Sequence, residues 1–144
     1  MPHHTKDKGD LGVAKAFADL VSQGYIVLMP ATEHAPFDLV IFREGRFGRV
    51  QVKYRALKAG TVFAEFHTGW TDRHGVHKKP LDKSTVDLFC IYCPDTDACY
   101  YVRPADHRKS VKLRVTPTLN GQKVGVLNAE DYRRVPKLPP TAFL

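Results

Sequence analysis

Apolar side chains recur along this chain in two rhythms, and the changes between them mark out the elements. Residues 9–23 follow a helical spacing. Leu11, Ala14, Ala18 and Val21 fall on one stripe with Val13, Phe17 and Leu20 beside it, while Lys15, Asp19, Ser22 and Gln23 take the outer face. Gly24 then sits where a helix is expected to end. Residues 25–29 are a short apolar run, which predicts a buried strand stopped by Pro30. Residues 37–42 and 47–54 are β-rich runs on either side of Arg-Glu-Gly-Arg, the pattern of a hairpin. Residues 61–66 predict another strand. Residues 67–85 keep neither rhythm and predict a long polar loop, a feature that in compact domains is usually functional or disordered. Residues 86–93 and 98–102 form a second hairpin across Pro-Asp-Thr-Asp, and residues 111–115 a further strand. Asn120-Gly121 marks a turn, Asn128 caps a short helix through Arg134, and residues 1–7 and 136–144 are expected to be loosely ordered.

The chain has 144 residues, 43% of them hydrophobic, which suits one globular domain with a single core. No apolar run approaches the roughly 20 residues needed to span a bilayer. The opening MPHHTKDKGD lacks the apolar stretch of a signal peptide, so the expectation is a cytoplasmic protein with no membrane partner. An odd count of three cysteines argues against a disulfide framework. The net charge of +7 admits a polyanionic partner, nucleic acid or an anionic surface, but a basic protein with no such partner fits as well.

The first hairpin carries the chemistry. With Glu44 and Gly45 as its central turn residues, Arg43 opposes Arg46, Phe42 opposes Phe47, and Asp38 opposes Gln51. Gln51 and Lys53 share a face because strand side chains alternate. An Asp, a Gln and a Lys therefore meet on one patch of sheet, provided the turn has two residues; one slip of register separates them. Phosphodiester hydrolysis asks for such a set. A hard cation such as Mg²⁺ takes oxygen ligands, here the Asp38 carboxylate, the Gln51 amide oxygen and the Val52 carbonyl. Lys53 can stabilise charge on the phosphate or orient and deprotonate a water. Asp38 also interrupts Phe-Asp-Leu-Val-Ile-Phe, where a charge is costly unless something pairs with it. An Asp at a strand start, with Gln and Lys on a solvated face, would be the ordinary alternative.

The wider pattern decides between these. Lys8-Gly9 before the helix, Gly24-Tyr25 opening a strand, Pro30, Phe37-Asp38-Leu39-Val40 and Val50-Gln51-Val52-Lys53 follow one another in order. That order resembles the PD-(D/E)XK nuclease superfamily. The Gln variant of the motif resembles a small group I intron-encoded homing endonuclease family of bacteria and their phages, and Val86–Phe89 and Tyr100–Val102 fit it too. The resemblance implies an α/β, restriction-endonuclease-like fold, a central mixed β-sheet flanked by helices in a single domain. It implies Asp38 as the metal-binding carboxylate, Gln51 as the second metal-side ligand and Lys53 as the catalytic lysine. It further implies Mg²⁺, with Mn²⁺ as a substitute, and double-stranded DNA as partner. Relatives usually carry a Glu on the first helix where this chain has Val13, and Asp10, one turn earlier, is the nearest acid that could serve the metal.

Other clusters compete with that core. Cys90, Cys93 and Cys99 suggest zinc, but Cys90 and Cys93 point to opposite faces of a strand, so buried thiols are the better reading. The histidines His67, His74 and His77 show no spacing for nucleophilic catalysis and are read as loop or phosphate contacts. Arg55, Lys58, Arg73, His74, His77, Lys78 and Lys79 make up the expected DNA-contacting set, with Arg108, Lys109, Lys112 and Arg114 as a second basic segment. Trp70 could touch DNA or simply pack. The reading is a site-specific homing endonuclease acting as a homo-oligomer, dimer or tetramer, because cutting two strands needs two sites. A Holliday-junction resolvase, a restriction-type nuclease and a catalytically silent DNA-binding module are the rivals.

Overall fold

The first helix, α1 (His4–Ser22), begins a turn before the point its apolar spacing suggests, with Asp7 in its first turn, where a negative charge suits the helix dipole. A computed structural model describes the backbone of residues 4–140; residues 1–3 and 141–144 and the side chains of His4, Thr5, Trp70 and Thr71 lie outside the described residues. The helix buries a different face from the one predicted. Leu11, Ala14, Ala18 and Val21 are exposed, while Gly12, Ala16 and Leu20 are buried with Val13 half-buried beside them. The helix is apolar almost all round, so periodicity could not choose the inward stripe. Close approach chooses it: a Cβ on Gly12 would stand 3.4 Å from Val52 Cγ1.

That face packs on a five-stranded sheet ordered β1 (Ile26–Leu28), β2 (Leu39–Arg43), β3 (Arg46–Tyr54), β7 (Leu88–Cys93) and β8 (Ala98–Val102). All neighbours are antiparallel except β3 and β7, which run parallel. The sheet is therefore mixed, and strands β7 and β8 are buried along their whole length, although β8 ends the strand order. Strand β1, expected to be buried, is an edge strand with Ile26 59% and Leu28 45% exposed. Opposite α1 the sheet is covered by a ribbon of β4 (Thr61–Glu65) and β9 (Ser110–Arg114) and by a 3₁₀ turn, Ala129–Tyr132, preceded by Asn128. Among the described residues α1 is thus the one α-helix, and a β ribbon stands where a second helical layer was expected. One cluster of buried side chains lies on each face of the sheet: Leu39, Ile41, Val50 and Tyr101 under α1, and Phe89, Ile91, Val62 and Leu113 under the ribbon.

Residues 67–85 are not one long loop. His67–Asp72 (β5) and Gly75–Pro80 (β6) pair as an antiparallel hairpin. Its base is tied down by the Leu81 amide on the Phe66 carbonyl at 3.0 Å and the Phe66 amide on the Lys109 carbonyl at 2.8 Å. Its tip is exposed, Val76 included. Residues 136–140 have no regular secondary structure, yet Leu138 is buried in the helix-side cluster. It lies over Gly48, where a Cβ would come 2.5 Å from Leu138 Cδ1, and Arg46 donates to the Leu138 carbonyl.

Candidate active site

Glu44 and Gly45 take φ of 54° and 76°, the left-handed pair that a two-residue turn between twisted strands requires. Gly45 does so without a Cβ penalty. With that turn the pairing runs Arg43 to Arg46, Phe42 to Phe47 and on to Leu39 with Val50. Asp38, next in line, falls opposite Gln51. Its amide donates to the Val50 carbonyl at 2.9 Å. Its carboxylate Oδ2 accepts the Val52 amide at 2.8 Å, which anchors the acid against the strand that carries Gln51 and Lys53. The structure therefore brings Asp38, Gln51, Val52 and Lys53 together, as the hairpin register predicts.

Strand β3 is held from its other side as well. Arg49 and Asp87 form a bidentate pair, Nε to Oδ2 at 2.9 Å and Nη2 to Oδ1 at 3.0 Å, and the Arg49 amide donates to Oδ2 at 2.7 Å. This clamp sits at the entry of the parallel β3–β7 pairing, next to Val50 and Leu88. Burial raises the Asp87 pKa, but its three bonds from Arg49 outweigh that and leave it lowered.

Burial also shapes the two charged members of the motif. It raises the Asp38 carboxyl above the usual carboxylate range, against the Val52 amide and the Lys53 charge, which pull it down. It lowers Lys53, helped by the nearby Arg55 charge and opposed by Asp38. Lys53 Nζ lies 5.7 Å from the centre of the Phe89 ring and 3.4 Å from the His67 carbonyl oxygen. An ammonium on an apolar floor loses its proton more readily than one in water, which suits a group that hands protons to and from a water. Gln51 Oε1 is buried with no hydrogen-bond partner, so a neutral oxygen ligand is on offer.

Asp10 and Val13 of α1 line one cavity of about 740 Å³ together with Phe17, Met29, Glu33 and Asp38. Val13 thus stands in the wall beside Asp38, where the resemblance implies an acid. Glu33, from the loop before β2, went unnoticed in the sequence; an acid in a loop of Thr-Glu-His carries no periodic signal. Among the described residues no three His, Cys, Asp or Glu side chains converge as a metal cage.

The basic residues separate into groups. Arg55 is half-buried by the motif; its amide donates to the Tyr92 carbonyl at 2.9 Å, and burial lowers its guanidinium pKa against the pull of Glu65. Lys58 is exposed in the turn before β4. Arg73, His74, Lys78 and Lys79 are exposed on the β5–β6 hairpin, while His77 is half-buried and held by Asp72 at 2.9 Å. The cysteines are buried free thiols, Cys90 and Cys99 on the helix side and Cys93 on the other, which leaves no zinc site among them.

A family model described as PD-(D/E)XK endonuclease matches residues 3–135, nearly the whole chain. The chain belongs to that family. The solved structures similar to this endonuclease include a bacterial homing endonuclease, I-Ssp6803I, with a TM-score of 0.70 at 24% identity. The match covers 91% of this chain and 89% of that one, and it shows that the two share a fold. No curated protein matches.

Proposed function

We propose that this endonuclease hydrolyses double-stranded DNA at a specific site with a divalent cation, Mg²⁺ or in its place Mn²⁺, in the manner of a homing enzyme. The observation that carries the reading is the convergence of Asp38, Gln51 and Lys53, with Asp38 pinned on the Val52 amide and Gln51 Oε1 left without a partner. Asp38, Gln51 and the Val52 carbonyl would hold the cation, with Asp10 acting through water. The cation supplies Lewis-acid stabilisation of charge on the phosphate. The chain's own groups do the rest. Asp38 gives the site its negative charge, and Gln51 adds an acceptor without a second charge. Lys53, its proton loosened by burial, orients the attacking water or takes its proton. Arg55 and Lys58 lie close to this centre in sequence, and Arg73, His74, His77, Lys78 and Lys79 furnish the hairpin that would follow the phosphates. That the similar solved structure is a bacterial homing endonuclease supports the homing reading over a junction resolvase or restriction-type role.

Lys53→Ala is the decisive variant. Cleavage of a target duplex should fall by about 10²-fold or more, while gel-shift affinity, which comes from many phosphate contacts, stays within about threefold. Undiminished cutting by Lys53→Ala would remove the assignment. One observation favours a silent DNA-binding module instead: Val13, apolar, stands in the wall beside Asp38. Tight duplex binding with no cleavage under any divalent cation would establish that reading.

A further inference from the structure

Gln51 and Lys53 share a face of β3, and the same alternation carries Arg55, two residues on, to that side. The Arg55 backbone continues the parallel ladder, its amide on the Tyr92 carbonyl at 2.9 Å. Its guanidinium is tied down as well, with Nη1 donating to the Tyr54 carbonyl at 2.8 Å. Among the described residues Nε and Nη2 have no hydrogen-bond partner. Those two nitrogens form the edge of a guanidinium that matches two oxygens of a phosphate or carboxylate. No carboxylate of the fold fills that edge. Among the described residues, the lysines and arginines paired with acids are Lys15 with Asp97, Arg49 with Asp87, Arg103 with Asp106 and Arg133 with Glu130. Neither Lys53 nor Arg55 is among them. Glu65 of β4 attracts the Arg55 guanidinium from beyond ion-pair reach, and burial outweighs that attraction. Its Oε2 lies 3.3 Å from His67 Nδ1 instead. The Arg55 charge acts on Lys53 more strongly than Asp38 does, so the two cations are neighbours that repel. Half-buried cations without acid partners cost a fold stability, and an anion from outside relieves that cost.

We propose that the Nε–Nη2 edge of Arg55 grips the DNA phosphate next to the one that is cut. The proposal deepens the nuclease reading given above and rests on it. Residues two apart on a strand stand about 6.6 Å apart, a step like that between neighbouring phosphates of one DNA strand. Gln51, Lys53 and Arg55 follow one another along β3 as cation ligand, lysine and fork. A DNA strand with its reactive phosphate at Lys53 therefore brings a neighbouring phosphate to Arg55. The fork is set before DNA arrives, because its backbone and its guanidinium are both held by main-chain carbonyls. Such a side chain loses little freedom on binding. It fixes the DNA strand in place and so holds the reactive phosphate against the lysine. Arg55 is thus a positioning residue, and its removal tells on rate more than on affinity.

The test measures single-turnover cleavage by wild type, Arg55→Gln and Arg55→Lys on duplexes in which single phosphates around the cut are replaced by neutral methylphosphonates. Duplex affinity without divalent cation and thermal midpoint are measured beside it. On the unmodified duplex Arg55→Gln should cut about 10²-fold more slowly. Its affinity should stay within about threefold of wild type, since one contact among many is lost. It should melt no lower than wild type, because the charge it removes has no acid partner. Arg55→Lys keeps the charge without the fork and should remain about tenfold slow. Neutralising one phosphate next to the cut should slow wild type about as much as the glutamine does, yet slow Arg55→Gln by less than about twofold. Four results overturn the proposal: Arg55→Gln cutting as fast as wild type, Arg55→Gln melting lower (a structural role), Arg55→Lys cutting as fast as wild type (a point charge), or no adjacent phosphate whose neutralisation Arg55→Gln ignores. Wild type that binds duplex without cutting would remove the nuclease reading and this proposal together. Wild type and Arg55→Gln that cut alike would remove only the proposal.

Discussion

Asp38 and Lys53 show at the residue scale that the site is maintained against stability. Burial raises Asp38 and lowers Lys53, so the charged form of each costs the fold some stability. The sign for Asp38 can be worked out. Its folded pKa lies above its unfolded value, so the folded state binds the proton more tightly. Wild type therefore loses stability as pH rises from the ordinary carboxylate range through the raised folded pKa, above which the penalty is complete. Asp38→Asn, which keeps an oxygen for the Val52 amide, should abolish cleavage and stabilise the fold by about 1 kcal/mol at pH 7. That gain should vanish below the ordinary Asp pKa, as thermal melts of both proteins across pH would show. A mutant less stable than wild type at pH 7 would mean that the carboxylate supports the fold. The convergence of these residues was legible because strand side chains alternate and Glu-Gly signals a two-residue turn. Glu33 was not legible, since it reaches the wall beside Asp38 from a loop that no spacing announces.

At the scale of elements, the Arg49–Asp87 pair ties the motif strand to β7 where their parallel pairing begins. Asp87→Ala leaves the buried part of that guanidinium without its partner and should cost about 1–3 kcal/mol in denaturant unfolding. Asp87 is depressed in the folded state, so its contribution is present above the ordinary Asp pKa and is lost as pH falls through the folded value. An Asp87→Ala midpoint equal to wild type at neutral pH would show that the clamp is dispensable. The β5–β6 hairpin is the element the sequence hid. Gly-Val-His-Lys-Lys-Pro buries no alternating face, so main-chain pairing holds it to β5 and hydrophobic periodicity has nothing to report. If this hairpin follows DNA, replacing Lys78 and Lys79 with alanine should flatten the log-log salt dependence of binding by about two units. A slope unchanged by the double mutant would take the hairpin off the DNA.

On the scale of the whole molecule, one chain carries one motif, and cutting both strands calls for at least two copies. The misread helix face bears on this. The stripe that the sequence assigned to the core, with Leu11 43% and Val21 50% exposed, lies outside, and the edge strand β1 exposes Ile26 and Leu28. Such apolar surface beside an unpaired strand edge is a place for association. The homo-oligomer proposed here should appear in light scattering as at least twice the mass of one chain, and Ile26→Lys should lower that mass. A wild-type monomer at working concentration would oppose the proposal.

The parallel pairing of β3 with β7 has a consequence in time rather than space. Asp38, Gln51 and Lys53 meet through a short hairpin, whose closure needs little chain to be ordered. Phe89, the floor under Lys53, arrives across the whole β4–β6 excursion, and contacts of that separation form late. The hairpin should therefore align the motif before Phe89 is in place to desolvate the lysine. Competence to cut should then be acquired late in folding and lost early when strand β7 loosens.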